Sequence, residues 1–188
     1  MPEGPPKITL PLNQSLHLLH PYNATLVSTK TPDGQNNVMT IAWIIPTSVD
    51  PPLITMSVRK SRFSYKAIQE TGEFVVNIPT FDMAEKVLRA GRTSGKNIDK
   101  FAELPFIARK AKMVKAPLIE ECVAHLECKL WKTFEAGDHD LIIGEIIAAT
   151  VIEGYFTKTW DITKFRPVQH TGQEFFTTCS LETVEIKF

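Results

Sequence analysis

The sequence predicts a mainly β fold, a closed antiparallel barrel with short helical excursions, and three observations carry that expectation. Six short runs rich in β-branched and apolar residues are each bounded by turn residues and read as strands. One of them alternates apolar and polar positions, as antiparallel strands with one solvated face do. Only two segments carry helical signals, too few to place a helix between every pair of strands.

The predicted strands cover residues 24–29, 38–45, 53–58, 74–78, 123–130 and 141–153. Between the first two, Thr31-Pro32-Asp33-Gly34 is a turn, because proline sets φ and glycine tolerates φ above zero. A helix is expected over 61–71, ended by Gly72 in the left-handed conformation. A second starts near Asp82, whose carboxylate can cap free amides while Glu85 closes a capping box. Met83, Val87 and Leu88 would then face the core, with fraying by Gly91. Residues 91–97 read as a loop, followed by a short turn over 99–101. In 123–130, Leu126, Cys128 and Leu130 form the buried face, and His125, Glu127 and Lys129 the wet one.

A length of 188 residues fits one compact domain, with 1–20 as an extended N-terminal arm and 155–188 as a C-terminal extension. With 43% hydrophobic and 22% charged residues, the chain is not mostly disordered. Lys plus Arg, at 21, balance Asp plus Glu, at 21, so no global field favours nucleic acid or an anionic membrane. Any anion must be held by a local cluster. Cys122, Cys128 and Cys179 lack CxxC or zinc spacing and read as reduced, half-buried thiols. The most apolar stretch, 141–152, is shorter than the roughly 20 residues a membrane span needs and carries Glu145. The start, MPEGPPKITLPL, lacks the basic-then-apolar pattern of a signal peptide, so a cytoplasmic protein is expected.

Three segments can carry chemistry. GRTSGK at 91–96 has one residue too few between its glycines for a phosphate loop, and no GxGxxG follows a strand. It still gathers Arg92, Thr93, Ser94, Gly95 and Lys96, whose amides, hydroxyls and charges can surround an anion; the alternative is a solvated loop. Ser61 and Ser64, beside Arg59, Lys60 and Arg62 at a helix start, suit a phosphate monoester, or else merely cap the helix. Trp43 is either a core residue or the wall of a planar aromatic ligand. His139, between Asp138 and Asp140 in a turn, is placed for proton delivery, or is an idle surface imidazole. No further ligands are spaced around these carboxylates, so no metal is expected.

Taken in order, NNVMTIAWIIPTSVDPPLITMSV, RKSRFSYKAIQETGEFVVNI, GRTSGKNIDKF and GDHDLIIGEI closely resemble the flavin reductase-like family of FMN-binding split barrels, which includes flavoredoxin and a ferric reductase. The similarity extends from roughly residue 23 to 153, with a weaker echo at His170-Thr171-Gly172. The resemblance implies a six-stranded antiparallel Greek-key split barrel, a homodimer, and FMN near the subunit interface. It places Asn37, Met39, Thr40 and Trp43 along the isoalloxazine, and Thr47 and Ser48 on its ribityl and phosphate side. Ser64 keeps the hydroxyl of a threonine usual at that helix start. Ser94, Lys96 and Lys100 match the SGK and DKF segment that borders the flavin or its phosphate, and either lysine is a candidate for the cation near N1 and O2. His139 matches the histidine near the reactive edge of the ring, and Phe175 or Phe176 replaces the usual tail aromatic.

The implied activity is an NAD(P)H-dependent flavin oxidoreductase using FMN, with free flavin, ferric iron or a redox partner protein as acceptor. The alternative is an FMN-containing electron-transfer protein without direct NAD(P)H activity. Either reading explains the absence of a catalytic triad, since the cofactor carries the reactivity.

Overall fold

In the computed structural model, which describes residues 4–184, twelve strands and four α-helices alternate irregularly along the chain. The order is α1 (Leu12–Ser15), β1 (Tyr22–Asn23), β2 (Thr25–Lys30), β3 (Asn36–Ile41), β4 (Ile44–Ser48), β5 (Leu53–Val58), α2 (Phe63–Thr71) and β6 (Glu73–Ile78). It continues with α3 (Ala84–Arg92), α4 (Lys100–Glu103), β7 (Ala108–Arg109), β8 (Leu118–Ile119), β9 (Ala124–Ala136), β10 (His139–Val151), β11 (Gln169–Gly172) and β12 (Phe175–Thr177). Seven strands form the main sheet, antiparallel throughout, in the order β3-β2-β6-β9-β10-β5-β4.

This corrects two expectations. The run predicted as one strand over 38–45 is two strands, β3 and β4, interrupted at Ala42-Trp43. The two halves take different partners: β3 pairs with β2, while β4 pairs with β5 at the opposite end of the sheet. Hence there are seven strands rather than six. The sheet is also not closed by a continuous ladder, because β3 and β4 are its two ends and are joined covalently instead.

The sheet nevertheless encloses one apolar interior. Val27, Met39, Met56, Phe74, Cys128 and Ile142, from six different strands, bury their side chains against one another. On the outside, α3 supplies Val87 and Ala90, and α4 with the residue that ends it supplies Phe101 and Leu104, to a second core against Leu26 and Val38. A third, smaller cluster packs Ala111, Val114 and Ala116 onto Val75.

That third layer overturns the predicted wet face of residues 123–130. Glu127 is fully buried, because segment 111–119 crosses over it. Its carboxylate accepts N–H bonds from Lys112 (3.1 Å), Met113 (2.6 Å) and Val114 (3.3 Å). His125 is half-buried, with Nδ1 2.9 Å from Asn77 Oδ1, and burial pushes its pKa down. Lys129 alone keeps the predicted exposure.

The two longer helices were legible, but not all of their boundaries. Gly72 ends α2 at φ 68°, as expected. Ahead of α3, however, the Thr80 hydroxyl engages the Asp82 carboxylate, and Phe81–Met83 forms a 3-10 turn. With that carboxylate taken, the capping box does not form, and α3 starts at Ala84 without a side-chain cap. It also runs through Gly91 to Arg92 rather than fraying, and it packs tightly on β3 there, where a Cβ on Gly91 would lie only 3.2 Å from Thr40 Cβ. The turn expected over 99–101 is the start of α4, capped by Asp99, whose carboxylate accepts from Phe101 N–H at 2.9 Å.

Both ends of the chain fold onto each other. The N-terminal arm is partly helical, with α1 followed by a 3-10 turn at Leu16–Leu19, and β1 then pairs with β11 in a small three-stranded sheet with β12.

Candidate functional site

The break at Ala42-Trp43 leaves the outer edge of β3 without a neighbouring strand, and a cleft of about 530 Å³ opens there. Its walls come from β3, the end of β5, the start of α2, the end of α3 with the loop after it, and the tip of the β9–β10 hairpin.

From β3, Asn37 is buried and donates Nδ2–H to Ser64 Oγ at 2.7 Å, tying the strand to the first turn of α2. Asn37 Oδ1 is buried with no partner among the described residues. Gly95 packs over this amide so closely that any side chain there would strike Asn37, and its Cβ would lie 2.7 Å from Phe63 Cδ1. Met39 and Thr40 continue the same wall, and Thr40 donates its hydroxyl to the Val87 carbonyl of α3.

Trp43, 40% exposed, faces His139 with ring centroids 5.3 Å apart. His139 Nδ1 lies 2.7 Å from the Asp138 carboxylate. Because a carboxylate only accepts, Nδ1 carries the proton and Nε2 is the free nitrogen. Arg59 closes the chain with an ion pair to Asp138 at 3.0 Å. The bond from His139 holds the Asp138 carboxyl below the usual range. The hairpin tip is itself pinned to α2, since Tyr65 Oη donates to Asp140 Oδ2 at 2.6 Å and Gln69 Nε2 donates to Thr133 at 3.0 Å. That contact with Asp140 raises the phenol pKa of Tyr65.

Lys100 lies on the cleft wall with only 4% of its surface exposed. Its Nζ donates to the carbonyls of Val38 (2.8 Å) and Ala90 (2.6 Å). The first belongs to the free edge of β3 and the second to the last turn of α3, where a cation also suits the helix dipole. Burial pushes its pKa down to about 8, and repulsion from Arg62 adds to the shift.

Of the residues singled out in the sequence, Asn37, Met39, Thr40 and Trp43 line this cleft together with Arg59, Ser61 and Ser64. Arg62, Thr93, Ser94, Gly95, Lys100 and His139 do so as well. Lys60, Arg92 and Phe175 are not among its lining residues, and neither are Thr47, Ser48, Lys96 and Phe176. Thr47 and Ser48 follow β4 away toward β5, where the Thr55 hydroxyl donates to Thr47 Oγ1 at 3.0 Å. Lys96 is exposed because its loop folds back on itself, with Asn97 N–H donating to Ser94 O at 3.0 Å. Phe176 packs beside His170 and the outer core, its ring centroid 5.2 Å from the imidazole.

The structure also adds residues that sequence patterns did not assign. His17 and His20 arrive from the N-terminal arm, and His20 meets His170 edge-on at 5.2 Å. The echo at 170–172 was a partial signal for His170, but nothing local distinguished the arm. Among the described residues, no group of three or more His, Cys, Asp or Glu side chains is arranged to hold a metal ion. No helix among them is long and apolar enough to cross a membrane.

Residues 17–169 match the model of the flavin reductase like domain. A protein of Archaeoglobus fulgidus is 36% identical over 171 residues, covering 90% of this chain and 95% of its own. A flavin reductase of Pseudomonas putida is 31% identical over 127 residues, 68% of this chain and 71% of its own. Flavoredoxin of Desulfovibrio vulgaris (Miyazaki F) superposes with a TM-score of 0.81 at 30% identity, covering 100% of this chain and 98% of that one. With a match across most of its length, the chain belongs to the flavin reductase-like domain family.

Proposed function

We propose that the protein is an FMN-dependent oxidoreductase that takes electrons from NADH or NADPH and passes them to flavin, iron or a protein acceptor. The observation that carries this reading is one cleft combining an indole–imidazole pair, Trp43 and His139 with ring planes 38° apart, with a buried ammonium at Lys100. A planar ring with an anionic tail needs both. The fit extends to Asn37 Oδ1, an orphaned buried acceptor suited to a ligand N–H or O–H. It also extends to the uncapped start of α2, where Ser61, Ser64 and Arg62 offer donors to a phosphate.

In this reading Asn37, Met39, Thr40 and Trp43 border the ring, while Ser61, Ser64, Ser94, Gly95, Arg62 and Lys100 surround the phosphate side. Arg59, engaged by Asp138, serves His139 instead. When bound, FMN supplies hydride and electron transfer that side chains lack. His139, its Nδ1–H held by Asp138, keeps Nε2 free to hold or deliver a proton at the cleft wall. The proposal includes a homodimer: Ile45 and Val49, 60% and 94% exposed, form an apolar edge beside Thr47 and Ser48 that a second copy would cover.

The test is a titration of the purified protein with FMN, followed by anaerobic addition of NADH or NADPH. A bound flavin with absorption near about 450 nm that bleaches with the dinucleotide alone is expected. Bleaching only through a reduced partner protein would make the chain an electron carrier, and failure to bind FMN would overturn the proposal.

A further inference from the structure

Lys100 is a buried cation whose partners are both neutral. Two of its three N–H bonds go to backbone carbonyls, and among the described residues no carboxylate lies within ion-pair distance. Burying a charge this way is costly unless an opposite charge compensates it. The groups around it supply none. β3 carries no titratable side chain, and on α4 the Asp99 carboxylate is spent capping the helix while Glu103 faces solvent. On α3, Lys86 pairs with Glu121 and Arg92 with Glu174. From the start of α2 comes Arg62, a second positive charge. That same helix start has no side-chain cap, and Phe63 and Ser64 line the cleft beside it.

We infer that the phosphate of FMN is the counter-charge Lys100 lacks, so that the cofactor binds the protonated lysine and its affinity is coupled to that proton. The inference rests on the proposed FMN reading and adds to it a linkage between cofactor affinity and one side chain. Below pH 8 the ammonium is already formed, and binding needs no proton. Above it the lysine is largely neutral, and the phosphate must restore its charge. The phosphate itself stays close to dianionic over this range, its second pKa being about 6. Arg62 acts in both directions, repelling the ammonium in the free protein and joining it on the phosphate in the complex.

Calorimetric titration of the full chain with FMN and with riboflavin, at pH 7 and pH 9 in buffers of different ionisation enthalpy, tests this. For FMN the dissociation constant should rise about tenfold from pH 7 to pH 9, with close to one proton taken up per FMN at the higher pH. Riboflavin, lacking the phosphate, should show neither effect. The cleft wall also carries His17, His20, His139 and His170, so the control is Lys100→Arg, which removes the lysine titration and leaves every imidazole in place. Its FMN affinity should be flat with pH. Arg62→Gln should bind FMN more weakly overall and move the midpoint to higher pH, a displacement that a purely structural lysine would not produce.

A flat FMN affinity in the unmodified protein, or an equal pH dependence with riboflavin, overturns the inference while leaving the FMN reading intact. An unmoved midpoint in Arg62→Gln also overturns it, and this variant decides the matter should Lys100→Arg fail to fold by circular dichroism. Absence of FMN binding at either pH would remove the FMN reading itself.

Discussion

His139 and Asn37 show how little of a residue's role is visible until its partners are known. The sequence places His139 between two carboxylates, but only the structure separates them: Asp138 bonds to the ring, whereas Asp140 turns to Tyr65. Replacing His139 with alanine should leave FMN affinity nearly unchanged and slow its reduction by NAD(P)H, as stopped-flow absorbance would read. An unchanged rate would reduce the histidine to a turn residue. Asn37→Ala removes the bond to Ser64 and opens space in a buried wall, and should cost about 1–3 kcal/mol in chemical denaturation. The orphaned oxygen on that same amide had no sequence signal, because it depends on Gly95, which is far away in the chain.

Among the elements, strands and turns with local chemistry were readable, and those defined by a distant neighbour were not. Gly72 ends α2 because the backbone there needs positive φ, which is local. The break between β3 and β4 has no such marker, since both halves are apolar and only their partners differ. Similarly, Glu127 reads as a wet-face residue until segment 111–119 covers it and donates three amides. Strand β10 offers a clear test. Gly144 sits at a register shift between β10 and β9, and a Cβ there would approach Phe74 Cε1 to 2.9 Å in the apolar interior of the sheet. Gly144→Ala should therefore destabilise the fold by about 1–3 kcal/mol through overpacking, measurable as a lower denaturant midpoint. Gly137→Ala, at the hairpin turn, meets open space but has φ of 67°, so its smaller cost would come from the backbone alone.

Across the whole molecule, buried ionisable groups set the alkaline limit of stability. Burial raises the Cys128 thiol from 9.0 to about 12 and shifts Cys122 upward in the same way. Above pH 9 the unfolded chain releases those two protons and the folded chain does not, so stability falls as pH rises. Lys100 has the opposite sign: between its folded value of about 8 and the ordinary 10.5, the unfolded chain binds a proton the folded one lacks. In the ligand-free protein, denaturant midpoints should therefore rise slightly between pH 8 and pH 9 and then fall, as two thiols outweigh one lysine. A midpoint that keeps rising beyond pH 10 would show the thiols are not shielded.

From composition, alternation and four ordered motifs alone, the β character, the two longer helices and many of the cleft residues were already readable: the elements and the basic and hydroxyl clusters from local chemistry, and Asn37, Met39, Thr40 and Lys100 through the family resemblance of the motifs. The open seam, the exclusion of Lys96, Thr47, Ser48 and Phe176 from the cleft, and the arrival of His17 and His20 required the folded chain. Each depends on which distant backbone lies alongside, and in a sheet that choice is made by pairing between strands remote in sequence.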